Sequence, residues 1–201
     1  MKYFLQIAAY LFHPLIMPFW GAAIYYSITP RFIEPDLIRT KLFEIAIITF
    51  LIPIITFFLL KNLTVINSIN LTNVKERKFP LMVQIVLLFL ILKMVYSPYD
   101  SPEMYYFFVG ILFSSFAALV LVFFKFKISL HQMGIAGVTM FIIGLSIHFK
   151  INLLLGIGIF FFCNGWIASS RLDTKSHIYP ELIAGLFLGI IPQIIMLNFW
   201  L

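Results

Sequence analysis

The chain has 201 residues, of which 62% are hydrophobic and only 11% charged, against roughly 25% charged in a soluble domain. A soluble core cannot hide that much apolar side chain, so lipid is the solvent for most of the molecule. The net charge of +6 sits in short loops between apolar runs, which fits lipid headgroups, orientation signals or a phosphate-bearing ligand and argues against nucleic acid as a partner.

Seven apolar runs approach the length of roughly 20 residues that a spanning helix needs. They are 3–29, 41–60, 80–96, 105–124, 132–149, 151–169 and 181–200. Backbone polar groups in lipid must pair internally, and the runs do not alternate polar with apolar residues. Helices are therefore expected and a β-barrel is not. The expected fold is an all-α, polytopic bundle of about seven spans, forming one integral membrane domain over residues 1–201.

The first run follows Met1-Lys2 and is longer than the ~7–15-residue apolar region of a signal peptide, so it reads as a retained span. His13-Pro14 with Pro18 predicts a bend in it. His13 reads as a structural residue or, alternatively, as the lining of a lipid entry groove. Lys150 nearly alone separates the fifth and sixth runs and predicts a tight hairpin. Cys163, the single cysteine, allows no intrachain disulfide and reads as a small buried hydrophobe.

Seven spans place loops 61–79, 125–131 and 170–180 on one face, with Lys2, Lys61, Lys75, Arg77, Lys78, Lys125, Lys127, Arg171 and Lys175. Loops 30–40, 97–104 and Lys150 fall on the other. The positive-inside rule puts the first face in the cytoplasm. Ionisable groups deep in a span mark ion or proton pathways. Glu44, Lys93 and His148 lie near the ends of their runs and only His13 is deep, which disfavours a transporter and favours chemistry at the membrane surface.

Three loops of the first face carry residues suited to phosphate. In the third, Arg171 is followed six positions later by His177, and His177 four later by Glu181. Pro180 is placed to open the last helix, which puts Glu181 in its first turn. A carboxylate there can accept from one ring nitrogen of His177 and leave the other free to attack, while the Arg171 guanidinium suits phosphate oxygens. In the second loop, Ser129 can donate to a phosphoryl oxygen and His131 can protonate a leaving oxygen. Either histidine alone also reads as a capping or snorkelling residue. The first loop offers Lys75, Arg77 and Lys78, which read equally as a phosphate clamp or as a solvated charge run touching anionic headgroups.

At these residues the chain resembles the type 2 phosphatidic acid phosphatase superfamily, the membrane lipid phosphate phosphatases. Ser170-Arg171, His177 and Glu181 match that family's third motif in spacing, with Glu for Asp. Ser129-Leu130-His131 looks like its second, with Leu130 for Gly and Ile128 for Pro. The first motif is approximated by Arg77, three positions before Pro80, with no Lys seven before Arg77. Phe12-His13-Pro14-Leu15 also looks like divergent bacterial members.

The resemblance implies a six-helix phosphatase core, plus or minus one helix, in a bacterial inner membrane with the site facing outward. It implies a metal-independent mechanism without a cofactor, acting on a lipid phosphate or polyprenyl diphosphate. His177 attacks phosphorus and forms a phosphohistidine, Glu181 orients it, and His131 protonates the departing lipid oxygen. Arg171, Ser129 and the cations Lys75, Arg77 and Lys78 hold the phosphate oxygens. The departures in the first two motifs leave a second reading open, a lipid-binding or scaffold relative without turnover.

Overall fold

The computed structural model describes residues 2–64 and 74–201. The part of the first loop from 65 to Asn73 lies outside the described residues. Among the described residues every regular element is helical. In chain order these are α1 (Lys2–Leu11), α2 (Met17–Ile28), α3 (Pro35–Asn62), a 3-10 turn (Val74–Arg77), α4 (Lys78–Met94), α5 (Pro102–Phe123), α6 (Leu130–Phe149), α7 (Leu154–Asp173) and α8 (Tyr179–Leu197).

Five of them, α3, α5, α6, α7 and α8, are long and apolar enough to cross a membrane. This is the architecture of an integral membrane protein. The expected count of about seven is met by length and hydropathy only to five. The fourth helix has 17 residues, at the short end of the ~17–25 that span a bilayer. The first run is not one bent helix, because it breaks completely at His13-Pro14 into α1 and α2.

Proline sets several helix starts. Pro18, Pro35, Pro102 and Pro180 each stand in the first turn of a helix, where the missing N–H has no intrahelical partner to lose. Within α3, a π turn over Ile47–Leu51 precedes Pro53, which cannot supply a ladder N–H. The hairpin predicted at Lys150 is present. Lys150 takes a left-handed conformation with φ of 54°, and Ile151 N–H returns to the Ser146 carbonyl at 3.2 Å, which closes α6 and turns the chain into α7.

The sixth and eighth helices form the centre of the bundle. They run parallel: Ser129 N–H meets the Glu181 carbonyl at 3.1 Å at one end, and Gly144 packs on Leu197 and Trp200 at the other. Gly185 and Gly189 face the backbone of Ser129 and Met133. Small residues on this face let the two backbones approach closely, where packing rather than water drives association. By contrast Leu154, Leu155, Phe161 and Phe162 of α7 are exposed, as lipid-facing side chains are.

At the end of the bundle away from these loops lies a buried ionic knot. Glu103, fully buried in the first turn of α5, accepts from Arg31 at 2.6 and 3.3 Å and from Tyr25 Oη at 3.5 Å. His148 Nε2 approaches it at 3.0 Å. The knot joins α2, the α2–α3 connection, α5 and α6, and satisfies a carboxylate that cannot be left alone in an apolar interior.

Candidate functional site

The third loop is built by the end of α7 and the start of α8. The Arg171 carbonyl accepts from the backbone N–H of Ser176 at 3.0 Å and of His177 at 3.3 Å, and Lys175 is left-handed at φ 51°. This closure returns His177 over the end of α7, so the six-residue spacing from Arg171 becomes proximity. Pro180 then opens α8 and holds Glu181 in its first turn. His177 Nδ1 lies 2.6 Å from Glu181 Oε2. The same oxygen accepts from Ile178 N–H at 3.4 Å. The carboxylate therefore accepts a hydrogen bond from Nδ1–H, and the neutral ring keeps the Nε2 lone pair free.

The other two loops close on this pair. Arg77, buried at the foot of α4, donates from Nη1 to the Ile128 carbonyl at 2.7 Å. Lys127 donates from Nζ to the Ser176 carbonyl at 2.9 Å. With the Ser129 bond to the Glu181 backbone, these contacts join all three loops. Beneath them Leu81, Ala118, Val122, Ile128 and Met133 form a separate apolar cluster that gives the loops a rigid floor.

Burial is the largest influence on His177 and holds its imidazole below the ordinary value of 6.5. The Glu181 hydrogen bond and charge push it back up, while Arg77 and Lys127 push it down. The net result is a ring that is neutral at neutral pH. Burial also lowers the Lys127 ammonium, helped by Arg77 and opposed by Glu181.

His131 lies in the first turn of α6, and its Nε2 is 3.2 Å from the Ala9 carbonyl of α1. Its ring meets His13 edge to face, with centroids 5.3 Å apart. Arg171 acts electrostatically on both histidines, and His131 feels His177. Among the described residues Arg171 Nε is buried without a hydrogen-bond partner, and Nη2 reaches Ser170 Oγ at 3.4 Å. Ser129 is fully buried and caps α6 by accepting from Gln132 N–H at 3.3 Å. Among the described residues its hydroxyl proton has no acceptor.

The expected phosphate ligands Lys78 and Lys75 sit in two different surroundings. Lys78 Nζ lies over the Phe123 ring at 4.6 Å, and Lys75 is exposed. Lys127 and His13, by contrast, were not among the expected site residues. Lys127 lies in the irregular stretch 126–129, and no local pattern in the sequence sets it against Ser176, which only the packing of the two loops does. The break at Pro14 is the signal for His13. It frees the ring from a continuous helix and turns it toward α6. Among the described residues no three His, Cys, Asp or Glu side chains gather as metal ligands.

No protein-family model, curated protein or solved structure matches this chain.

Proposed function

We propose that the chain is a membrane lipid phosphate phosphatase, akin to the type 2 phosphatidic acid phosphatases, that cleaves a phosphomonoester or diphosphate through a phosphohistidine. The observation that carries this reading is the His177–Glu181 pair at 2.6 Å, set beside Arg77 and Lys127. A neutral histidine with Nδ1 held by a carboxylate and Nε2 bare is the form a nitrogen nucleophile needs. In this reading Nε2 attacks phosphorus. Arg171, Arg77, Lys127 and the Ser129 hydroxyl stabilise the equatorial oxygens, and water then releases phosphate. The fourth helix and the α1–α2 pair complete seven crossings of a bacterial inner membrane.

The test is phosphate release from lipid phosphates by the purified protein in detergent with a chelator present. Turnover is expected in wild type and its loss in His177→Ala; turnover that survives in that variant removes His177 as the nucleophile. One observation favours a second reading, a lipid-binding relative without turnover. His131, the expected proton donor, has Nε2 engaged by the Ala9 carbonyl. Binding of lipid phosphate by wild type and His177→Ala alike, without release from any substrate, would support that reading instead.

A further inference from the structure

The seventh helix carries Arg171 and meets the bundle along one side. Leu154, Leu155, Phe161 and Phe162 are exposed on it, and a Cβ at Gly156, Gly158 or Gly165 would meet nothing within 4 Å. On the inward side Asn164 stands between two side chains of α6. Its Oδ1 accepts from Gln132 Nε2 at 2.9 Å, and its Nδ2 donates to Thr139 Oγ1 and to the Phe160 carbonyl, both at 2.8 Å. The Phe160 carbonyl only accepts, which fixes which end of the Asn164 amide is nitrogen. Thr139 gives its own proton to the Ile135 carbonyl at 2.7 Å, so its oxygen is the acceptor in the pair with Asn164.

Gln132 and Thr139 are about two turns apart on α6, roughly 10 Å along its axis. Asn164 bonds to both, so α7 cannot slide along α6 in either direction without stretching one of the two bonds. Between helices in lipid, such bonds and close packing set the register, because water does not drive apolar faces together. Arg171 lies about two turns beyond Asn164 on the same side of α7. The groups it works with stand on α6. His131 immediately precedes Gln132, and Ser129 caps that turn through Gln132 N–H. The register of α7 on α6 therefore sets the height of the guanidinium against this half of the site. The guanidinium has no acid of its own to hold it. Among the described residues Arg171 forms no ion pair, and its Nε is buried without a partner.

Resting on the phosphatase reading, with Arg171 as a ligand of the attacked phosphate, we propose that Asn164 is a positioning residue of the site. Through Gln132 and Thr139 it fixes the register of α7 on α6, and thereby the height at which Arg171 meets phosphate. It acts through Arg171 and not on the phosphate itself.

The experiment titrates the full chain in detergent with dodecylphosphonate, a lipid phosphate mimic whose carbon–phosphorus bond is not hydrolysed. Calorimetry reads Kd and stoichiometry separately. Asn164→Leu is expected to weaken Kd about tenfold or more, the loss of one charge-assisted contact. In an Arg171→Ala background the same change should move Kd by less than about twofold, since the contact it displaces is already gone. Thr139→Val keeps the shape of the side chain and cuts one side of the clamp. It should weaken Kd in the same direction, and again only where Arg171 is present. A purely structural role would lower the stoichiometry through loss of folded protein and leave Kd where it was. That outcome, an equal shift in Kd with and without Arg171, or no binding by wild type overturns the inference. Phosphate release from lipid phosphates by the same preparations tests the reading beneath it. The expected binding pattern without any release overturns the phosphatase reading alone, and release by wild type with a Kd indifferent to Asn164 overturns the inference alone.

Discussion

His177 is subject to opposing influences. Burial and two cations favour its neutral form, while Glu181 favours its charged form. Burial wins, so the unfolded chain takes up a proton at this residue at a higher pH than the folded chain does. The His177 contribution to stability is therefore present above pH 6.5 and is lost as pH falls below it. The melting midpoint in detergent should fall across that window more in wild type than in His177→Gln. The acid limb of kcat/KM should likewise lie below pH 6.5. Glu181→Gln removes both the orientation of the ring and a charge that raises its pKa. We expect kcat to drop by roughly 10²–10⁴ and the acid limb to move further down. A limb that moves up would mean that another group sets it.

The pairing of α6 with α8 does more for the site than either helix alone, because it fixes the height of Glu181 against Ser129. Gly185 makes that height possible. A Cβ added there would stand 2.6 Å from the Ser129 carbonyl oxygen, and backbone cannot swing aside as a side chain can. Gly185→Ala should push the start of α8 outward, cost about 1–3 kcal/mol and lower turnover. Gly158→Ala on α7, where a Cβ meets nothing within 4 Å, is the control and should change neither. Thermal unfolding in detergent and phosphate release are the readouts. Equal behaviour of the two variants would remove the argument that helix approach sets the site. The break between α1 and α2 acts at this scale too, since it brings the Ala9 carbonyl and His13 to the first turn of α6.

Across the described residues the ionisable groups of the three-loop site and those of the Glu103 knot stand at opposite ends of the bundle. Arg77, Lys127, Arg171, His131 and His177 gather where α4, α6 and α8 begin, and the Glu103 knot closes the other end. The division predicts the accessibility of single cysteines in a Cys163→Ala background. Cysteines at Lys125 and Lys175, both exposed, should react with an impermeant maleimide from the same side of the membrane. A cysteine at Tyr99, 93% exposed, should react only from the opposite side. Labelling of Lys125→Cys and Lys175→Cys from different sides would break the topology and the three-loop site with it.

The membrane class, the helical character, the hairpin at Lys150 and the His177–Glu181 spacing were legible in the sequence because each is local. Apolar run length is set by bilayer thickness, and a four-residue spacing across the start of a helix puts two side chains within reach. What needed the tertiary structure was every property that depends on neighbours from distant segments. Glu103 reads as an ordinary loop acid, and only the packing of Arg31, Tyr25 and His148 around it makes it a buried knot. Lys127 joins the site because Ser176 lies opposite it. His131 is a donor by sequence, but its proton is directed to Ala9 by a helix more than a hundred positions earlier in the chain. Composition could place this chain in lipid, since burial in lipid is a sum over residues. The chemistry of its histidines waited on the fold, because a proton's position depends on one partner at one distance.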